Sequence, residues 1–363
     1  MNIAFFGSSL VSAYWNGAAT YYRGLIKAFY ELGHQVTFYE PDAFDRQKHR
    51  DMSDPSWAKV VVYPATEAEV YKQLHAASNA DIVIKASGVG VFDDLLETEI
   101  IAHRAPGQIC LFWDVDAPAT LGAIRKNKKH HMHWLLPEYD AVFTYGGGNP
   151  VIKQYIGLGA KKCVPIYNAC DPETHFPTQP EERFNGDLAF LGNRLPDREA
   201  RVDEFFFKPA ENIPDKKFLI GGSGWGDKSM SGNVAYLGHV YTDDHNAFNS
   251  TPKAVLNISR DSMADNGFSP ATRVFEAAGA GACIITDYWE GIDQFFEPDK
   301  EILVARDGKE VAAILQSLTP ERANAIGKAA FARGLREHTY RHRAKTALSE
   351  LLKLMNLKTE ATI

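Results

Sequence analysis

The sequence predicts an α/β chain of two Rossmann-like, doubly wound domains facing a cleft, and three observations carry that expectation. Short apolar runs rich in Val, Ile and aromatic residues alternate with amphipathic stretches as far as about residue 305. The alternation runs through twice, broken near residues 168–179, where Asn168, Asp171, Pro172 and Pro177 interrupt it. And 363 residues, 45% apolar and 23% charged, are enough for two cores of ordinary size. The expected boundaries are 1–170, 180–340 and a final helix over 341–363.

In the first block, strands are expected at 3–6, 35–39, 59–62, 82–85, 109–113 and 141–144. The clearest helix covers 18–32, with Tyr22, Leu25, Ile26, Phe29 and Leu32 on one face and Gly33 as its stop. Strands separated by helices need crossover connections, hence parallel sheets. In the second block, strands are expected at 188–191, 218–220, 254–258, 283–286 and 302–305, with helices at 198–207, 242–249, 270–280 and 309–316. Beyond residue 319 only helices follow. The last places Ala344, Leu348, Leu351, Leu352 and Met355 on one stripe, so it packs against something.

Charge narrows the ligand classes. Lys and Arg number 39 against 46 Asp and Glu, a net charge of −7. Without a basic block, nucleic acid is excluded as the main ligand, and an anionic substrate requires a local group of cations. The four cysteines (Cys110, Cys163, Cys170, Cys283) have no metal-ligand spacing and read as reduced, buried thiols. No apolar run approaches the ~18 residues of a membrane span, and a strand begins almost at Met1 with no room for a leader. A cytoplasmic location follows as the expectation.

The most informative stretch for chemistry is 266–281. Ser269 followed by Pro270 predicts a capped helix start, leaving the amides of Ala271 and Thr272 free to form an anion site. Arg273 and Glu276 lie three apart on one helix face. The first suits a diphosphate and the second a ribose diol; the alternative is a core helix with an i,i+3 ion pair. Gly17, between the first strand and first long helix, allows close approach of backbone to a ligand, but the spacing is not the dinucleotide Gly-x-Gly-x-x-Gly. Arg194, Arg198 and Arg260 follow strands of the second block, as ligand cations or as surface partners of acidic neighbours. Asp114 and Asp116 close a strand. A metal pair, a catalytic cleft carboxylate and a helix cap ahead of Pro118 all stay open for them, the second being preferred. His130, His131 and His133 have no acidic or cysteine partner at ligand spacing, so no metal site is expected.

Five stretches together resemble one known family, the CgeB-like (spore-maturation-protein type) glycosyltransferases, relatives of the group 1 glycosyltransferases of the GT-B fold. They are Phe5-Phe6-Gly7-Ser8-Ser9-Leu10, residues 15–24 beginning Trp15-Asn16-Gly17, residues 113–121 beginning Trp113-Asp114-Val115-Asp116, residues 268–281, and Trp289-Glu290-Gly291-Ile292-Asp293. The resemblance implies a nucleotide-sugar donor held by the second domain, an acceptor facing the first, and a final helix crossing back to the amino-terminal domain. Glu276 is similar to the second glutamate of the group 1 Glu-x7-Glu pattern, the one associated with the ribose. Phe268 stands where the first would be, so the resemblance carries neither a sugar-contacting glutamate nor a retaining outcome; Asp261 and Asp265 are the alternative carboxylates.

The function expected is therefore transfer of a sugar from a nucleoside-diphosphate sugar to an acceptor, with no metal and no further cofactor. The donor base, sugar, acceptor and oligomeric state are left open by the sequence. A nucleotide-sugar epimerase of similar architecture and a non-catalytic nucleotide- or sugar-binding protein are the alternatives. Closure about residues 168–179 would exclude water during transfer.

Overall fold

The computed structural model describes residues 1–14 and 16–362; Trp15, which opens one of the motif stretches, lies outside them. The chain divides into two compact units, Met1–Tyr167 with Tyr340–Ile363, and Asn168–Thr339.

The first unit holds strands β1 (Asn2–Phe6), β2 (Gln35–Asp42), β3 (Lys59–Pro64), β4 (Ile82–Ala86), β5 (Ile109–Asp114), β6 (Ala141–Thr144) and β7 (Cys163–Pro165). They form one parallel sheet in the order β3-β2-β1-β4-β5-β6-β7, with Phe5 of β1 opposite Phe38 on one side and Ile84 on the other. Helices α1 (Ala19–Glu31), α2 (Glu67–Ala76), α3 (Asp93–Ala102), α4 (Ala117–Lys126), α5 (Met132–Leu135) and α6 (Gly148–Gly157) make the crossovers. Since both faces are covered, β4, β5 and β6 are buried along their whole length, which is why they read as apolar runs, polar only toward their carboxyl ends at Lys85, Asp114 and Thr144.

The second unit repeats the plan. Its strands are β8 (Leu188–Leu191), β9 (Phe218–Gly221), β10 (Val234–Gly238), β11 (Ala254–Asn257), β12 (Ile284–Asp287) and β13 (Leu303–Ala305). The parallel order is β10-β9-β8-β11-β12-β13, the same winding as the first sheet less one strand. Its helices are α7 (Glu199–Val202), continued through a π turn at Asp203–Phe207 into α8 (Lys208–Asn212), then α9 (His245–Ser250), α10 (Asp261–Asn266), α11 (Thr272–Gly279), α12 (Gly308–Ser317) and α13 (Pro320–Glu337). The core gathers Phe190, Phe206, Phe218, Leu256, Ile285 and Leu315. The two strands not anticipated, β7 and β10, are both sheet edges. β7 has three residues and ends in Pro165, and β10 is half-exposed, so neither carries a strong apolar signal.

The final helix α14 (Tyr340–Thr362) belongs to the first unit and packs on α1, as the fold expectation requires. Gly24 makes the contact possible: a Cβ there would stand 2.1 Å from the Tyr340 ring. The buried seam of α14 is Ala344, Ala347, Leu348 and Leu351. Leu352, expected on that stripe, is exposed, because at about 100° per residue it falls roughly 80° round the helix from Ala344, off the centre of the seam.

Candidate functional site

In a doubly wound sheet, ligands bind beyond the carboxyl ends of the strands where the winding order reverses. In the second unit that point lies between β8 and β11; Arg198, at the head of the helix that follows β8, and Arg260, in the segment that follows β11, come after these strands. Arg198 lies over the Phe190 ring, 5.5 Å from its centroid, and donates to the Asn193 carbonyl at 2.8 Å. Its Nε is buried without a hydrogen-bond partner, and it takes part in no ion pair among the described residues. Arg260 is different: its Nε donates to Asp197 at 2.6 Å, the surface pairing left open by the sequence. Arg194 likewise pairs with Glu199 and Asp227.

The helix at this end does not start where the sequence suggested. Gly267 and Phe268 both have positive φ, and Ala271 is extended, so α11 begins at Thr272 with Ala271 as its N-cap residue. Ser269 is therefore not the cap and Pro270 precedes the helix instead of opening it. No side chain caps α11, and the amides at its head are those of Thr272 and Arg273, one residue later than expected. Ser269 is 6% exposed, and its Oγ is buried with no partner.

Arg273 and Glu276 do share a face of α11, but they are not an ion pair: no carboxylate among the described residues lies within ion-pair distance of Arg273. Burial lowers the Arg273 guanidinium to about 10, offset by Glu276 and reinforced by the like charge of Arg198. Burial also lowers Arg198, opposed by the charge of Asp197 and reinforced by that of Arg260. Two recessed guanidiniums outside any ion pair, beside an uncapped helix start, have the chemistry to take a dianion.

Glu276 instead faces His175, whose Nε2 stands 3.8 Å from its Oε1. His245 on α9 joins the group. It is held below its ordinary value by burial, while Glu276 opposes and Arg273 adds to that shift. Neither histidine was singled out from the sequence. His175 sits in the turn-rich break, which has no periodicity to mark it, and only the fold brings it against α11.

The remaining candidates belong to the first unit. Asp114 ends β5 fully buried. Its Oδ1 accepts from Ser87 Oγ at 2.8 Å, Thr120 Oγ1 at 2.9 Å and the Asp116 amide at 3.0 Å, and its Oδ2 accepts from the Tyr155 hydroxyl. Burial pushes this carboxyl above the usual range. With both oxygens taken up by donors, Asp114 organises the strand end. Asp116 is half-buried at the head of α4 and does not cap that helix with its side chain. Gly17 is exposed with ordinary φ, and a Cβ there would meet nothing within 4 Å, so no packing in the protein demands glycine.

The histidine run gains the acidic neighbours its spacing lacked. Asp94 and Glu97 of α3 lie with His131 so that their ligand atoms fall within 4.8 Å of one another. His131 Nε2 is 2.5 Å from Glu97, which raises the imidazole, and Lys85 reaches the same carboxylate at 3.4 Å. Lys85 and His131 thus share the Glu97 carboxylate.

Comparison with known proteins fits this geometry. Residues 198–349 match the family model described as glycosyl transferase-like. No curated protein matches the chain in sequence. Among solved structures it is similar to a sucrose-phosphate synthase from Thermosynechococcus elongatus, with 12% identity, TM-score 0.73, and coverage of 98% of this chain and 100% of that one. HepE of Anabaena, solved with UDP and glucose, gives 13% identity and TM-score 0.63 over 97% and 100%. An alpha-glucosyltransferase solved with UDP and DNA gives 13% and 0.69 over 98% and 99%. The fold is GT-B. Among the described residues no helix is long and apolar enough to cross a membrane.

Proposed function

We propose that the protein is a metal-independent, CgeB-like glycosyltransferase that moves a sugar from a nucleoside-diphosphate sugar to a hydroxyl acceptor. One observation carries the reading. Arg198 and Arg273 stand without an ion-pair partner among the described residues, beside the uncapped start of α11 and at the strand ends where a doubly wound sheet takes its ligand. The diphosphate is held by these guanidiniums, the Thr272 and Arg273 amides and the Ser269 hydroxyl, with Arg260 at the rim. Glu276 accepts from the ribose diol. That the similar HepE and alpha-glucosyltransferase structures contain UDP supports a nucleotide of this kind.

In the transfer, the acceptor oxygen bonds to the anomeric carbon as the bond from that carbon to the diphosphate oxygen breaks. The leaving diphosphate keeps the electron pair, and Arg198, Arg273 and the helix start stabilise the charge that develops on it. The acceptor proton passes to a carboxylate. With Asp114 saturated by donors, Asp116 is the group we assign to that role. Fixed cations do the work a divalent ion would otherwise do at the diphosphate. The four free, buried cysteines suit a reducing, cytoplasmic setting.

Incubation with a panel of UDP-, GDP- and dTDP-sugars, with and without EDTA, tests the proposal. Transfer or slow donor hydrolysis that survives chelation is expected. An epimerised donor, binding without turnover, or activity abolished by EDTA and restored by Mn²⁺ would each overturn it.

A further inference from the structure

Residues 171–175 form a turn that closes on itself. The Glu173 amide donates to Asp171 Oδ1 at 3.0 Å, and the Thr174 and His175 amides donate to the Asp171 carbonyl at 3.0 and 2.8 Å. Asn246 of α9 ties the turn down, donating to the Thr174 carbonyl at 2.8 Å. On the other side the turn rests on α11 at Gly279, where a Cβ would stand 2.9 Å from His175 Cβ and 3.2 Å from Cys170 Cβ. Gly279 follows Glu276 by three residues, so a glycine on this helix face is what lets His175 come down beside that carboxylate.

The hydrogen bonds also settle which ring nitrogen carries the hydrogen. The Asp171 amide donates to His175 Nδ1 at 3.1 Å, so Nδ1 is the acceptor and Nε2 bears the N–H. Nε2 is the atom that faces Glu276 Oε1, at 3.8 Å. That is beyond hydrogen-bond length but within reach of a small side-chain rotation. Among the described residues, Glu276 has no shorter polar contact. The other charged or titratable groups around the pair are Arg273 on α11, His245 on α9 and Asp171 in the turn itself.

We propose that His175 is a positioning residue, its Nε2–H steering the Glu276 carboxylate toward the ribose diol of the nucleotide, with Gly279 setting the approach. The proposal rests on the donor-site reading above. It makes the preference for ribose over deoxyribose depend on a residue that does not itself touch the nucleotide.

Titration calorimetry of the full-length protein with UDP and 2′-deoxy-UDP tests it, using His175→Ala, His175→Gln and Glu276→Ala. Glu276→Ala should lose most of the preference for UDP over its deoxy analogue. His175→Ala should reduce the same ratio by about three- to tenfold, the range of one neutral hydrogen bond, while His175→Gln, which restores an N–H, keeps most of it. If His175→Ala weakens both nucleotides equally, or leaves the ratio untouched while Glu276→Ala abolishes it, the positioning role is wrong and the donor site stands. If Glu276→Ala leaves UDP binding unchanged, the donor reading itself is wrong. Should His175→Ala not fold, Gly279→Ala, which forces His175 off the helix, is expected to lower the ratio in the same direction. An unchanged ratio there, with an intact circular-dichroism spectrum, overturns the proposal.

Discussion

Asp114 and Asp287 occupy equivalent places in the two units. Each is the last residue of the second strand beyond the reversal of winding, β5 in one sheet and β12 in the other, and each is fully buried. Their partners differ in kind. Asp114 is met by the uncharged donors Ser87, Thr120, Tyr155 and the Asp116 amide. Asp287 receives the Arg201 guanidinium at 2.5 Å together with the Ser259 amide and hydroxyl. The carboxylate that closes this strand is thus met by uncharged donors alone in one unit and by a guanidinium as well in the other. Topology sets where a ligand can sit, and the side chains at the strand ends decide its charge.

The largest effect should separate Asp116 from Asp114. If Asp116 takes the acceptor proton, Asp116→Asn should lower kcat by roughly 10²–10⁴-fold with little change in donor affinity. Asp114→Asn keeps the acceptor oxygen for Ser87 and Thr120 and can turn its amide toward the Tyr155 hydroxyl, so its loss of kcat should be far smaller. Steady-state kinetics on both variants would reverse the assignment if their losses changed places.

Stability separates Asp114 from Asp287. Asp287→Asn leaves half-buried Arg201 with only the more distant Asp261, at 3.9 Å, and should cost about 3 kcal/mol in urea unfolding, the low end for a broken buried pair, because Arg201 keeps that partner and some solvent access. Asp114→Asn, which strands no charge, should cost under about 1.5 kcal/mol. The pH dependence has a definite sign. Burial raises both carboxyls above their ordinary value, so the folded chain takes up protons before the unfolded one does as pH falls. The contribution of each to unfolding free energy is therefore gained as pH drops through the folded value and lost as pH rises through it. Either Asn variant should flatten that slope, and a slope unchanged in both would show that other groups set it.

The cations of the second unit come next. Arg273→Ala should weaken UDP binding by roughly ten- to a hundredfold, the range for hydrogen bonds to a charged group, and should spare uridine. The effect should shrink as salt rises if solvent reaches the site. Arg260→Ala, already engaged by Asp197, should weaken binding less. Equal losses for the two would mean that the ion pair with Asp197 opens when nucleotide binds.

How much of this was legible in the sequence follows from which signals are local. The buried strands announced themselves as apolar runs, and α1 by its stripe and Gly33, because burial on two faces or one face leaves a periodicity. The edges β7 and β10 left none. Arg198, Arg273 and Glu276 could be singled out as candidates because helix starts and strand ends are visible along the chain. That Arg198 and Arg273 stay outside ion pairs was not visible, since Arg260 and Arg194 looked the same in sequence and proved to be paired. His175 needed the fold, as it meets Glu276 across about a hundred residues of intervening chain. The Ser269 cap failed for a backbone reason: positive φ at Gly267 and Phe268 turns the chain so that the helix starts beyond Pro270.

That displaced serine gives the smallest and most discriminating prediction. A helix-capping serine replaced by alanine costs typically about 1 kcal/mol of stability. Ser269 does not cap α11, and its buried Oγ has no partner among the described residues, so Ser269→Ala removes an unsatisfied polar atom. Stability should then stay within about 0.5 kcal/mol of the parent or rise slightly, because an unpaired hydroxyl contributes desolvation cost and no bond. Nucleotide affinity should move the other way. If the hydroxyl donates to a diphosphate oxygen, its loss should weaken UDP binding by about three- to tenfold and leave uridine unaffected. Thermal unfolding and calorimetry on the one variant read both quantities. Lost stability with unchanged affinity would restore the capping role and move the diphosphate away from Ser269, whereas retained stability with weaker UDP binding would place the hydroxyl in the donor site beside Arg273.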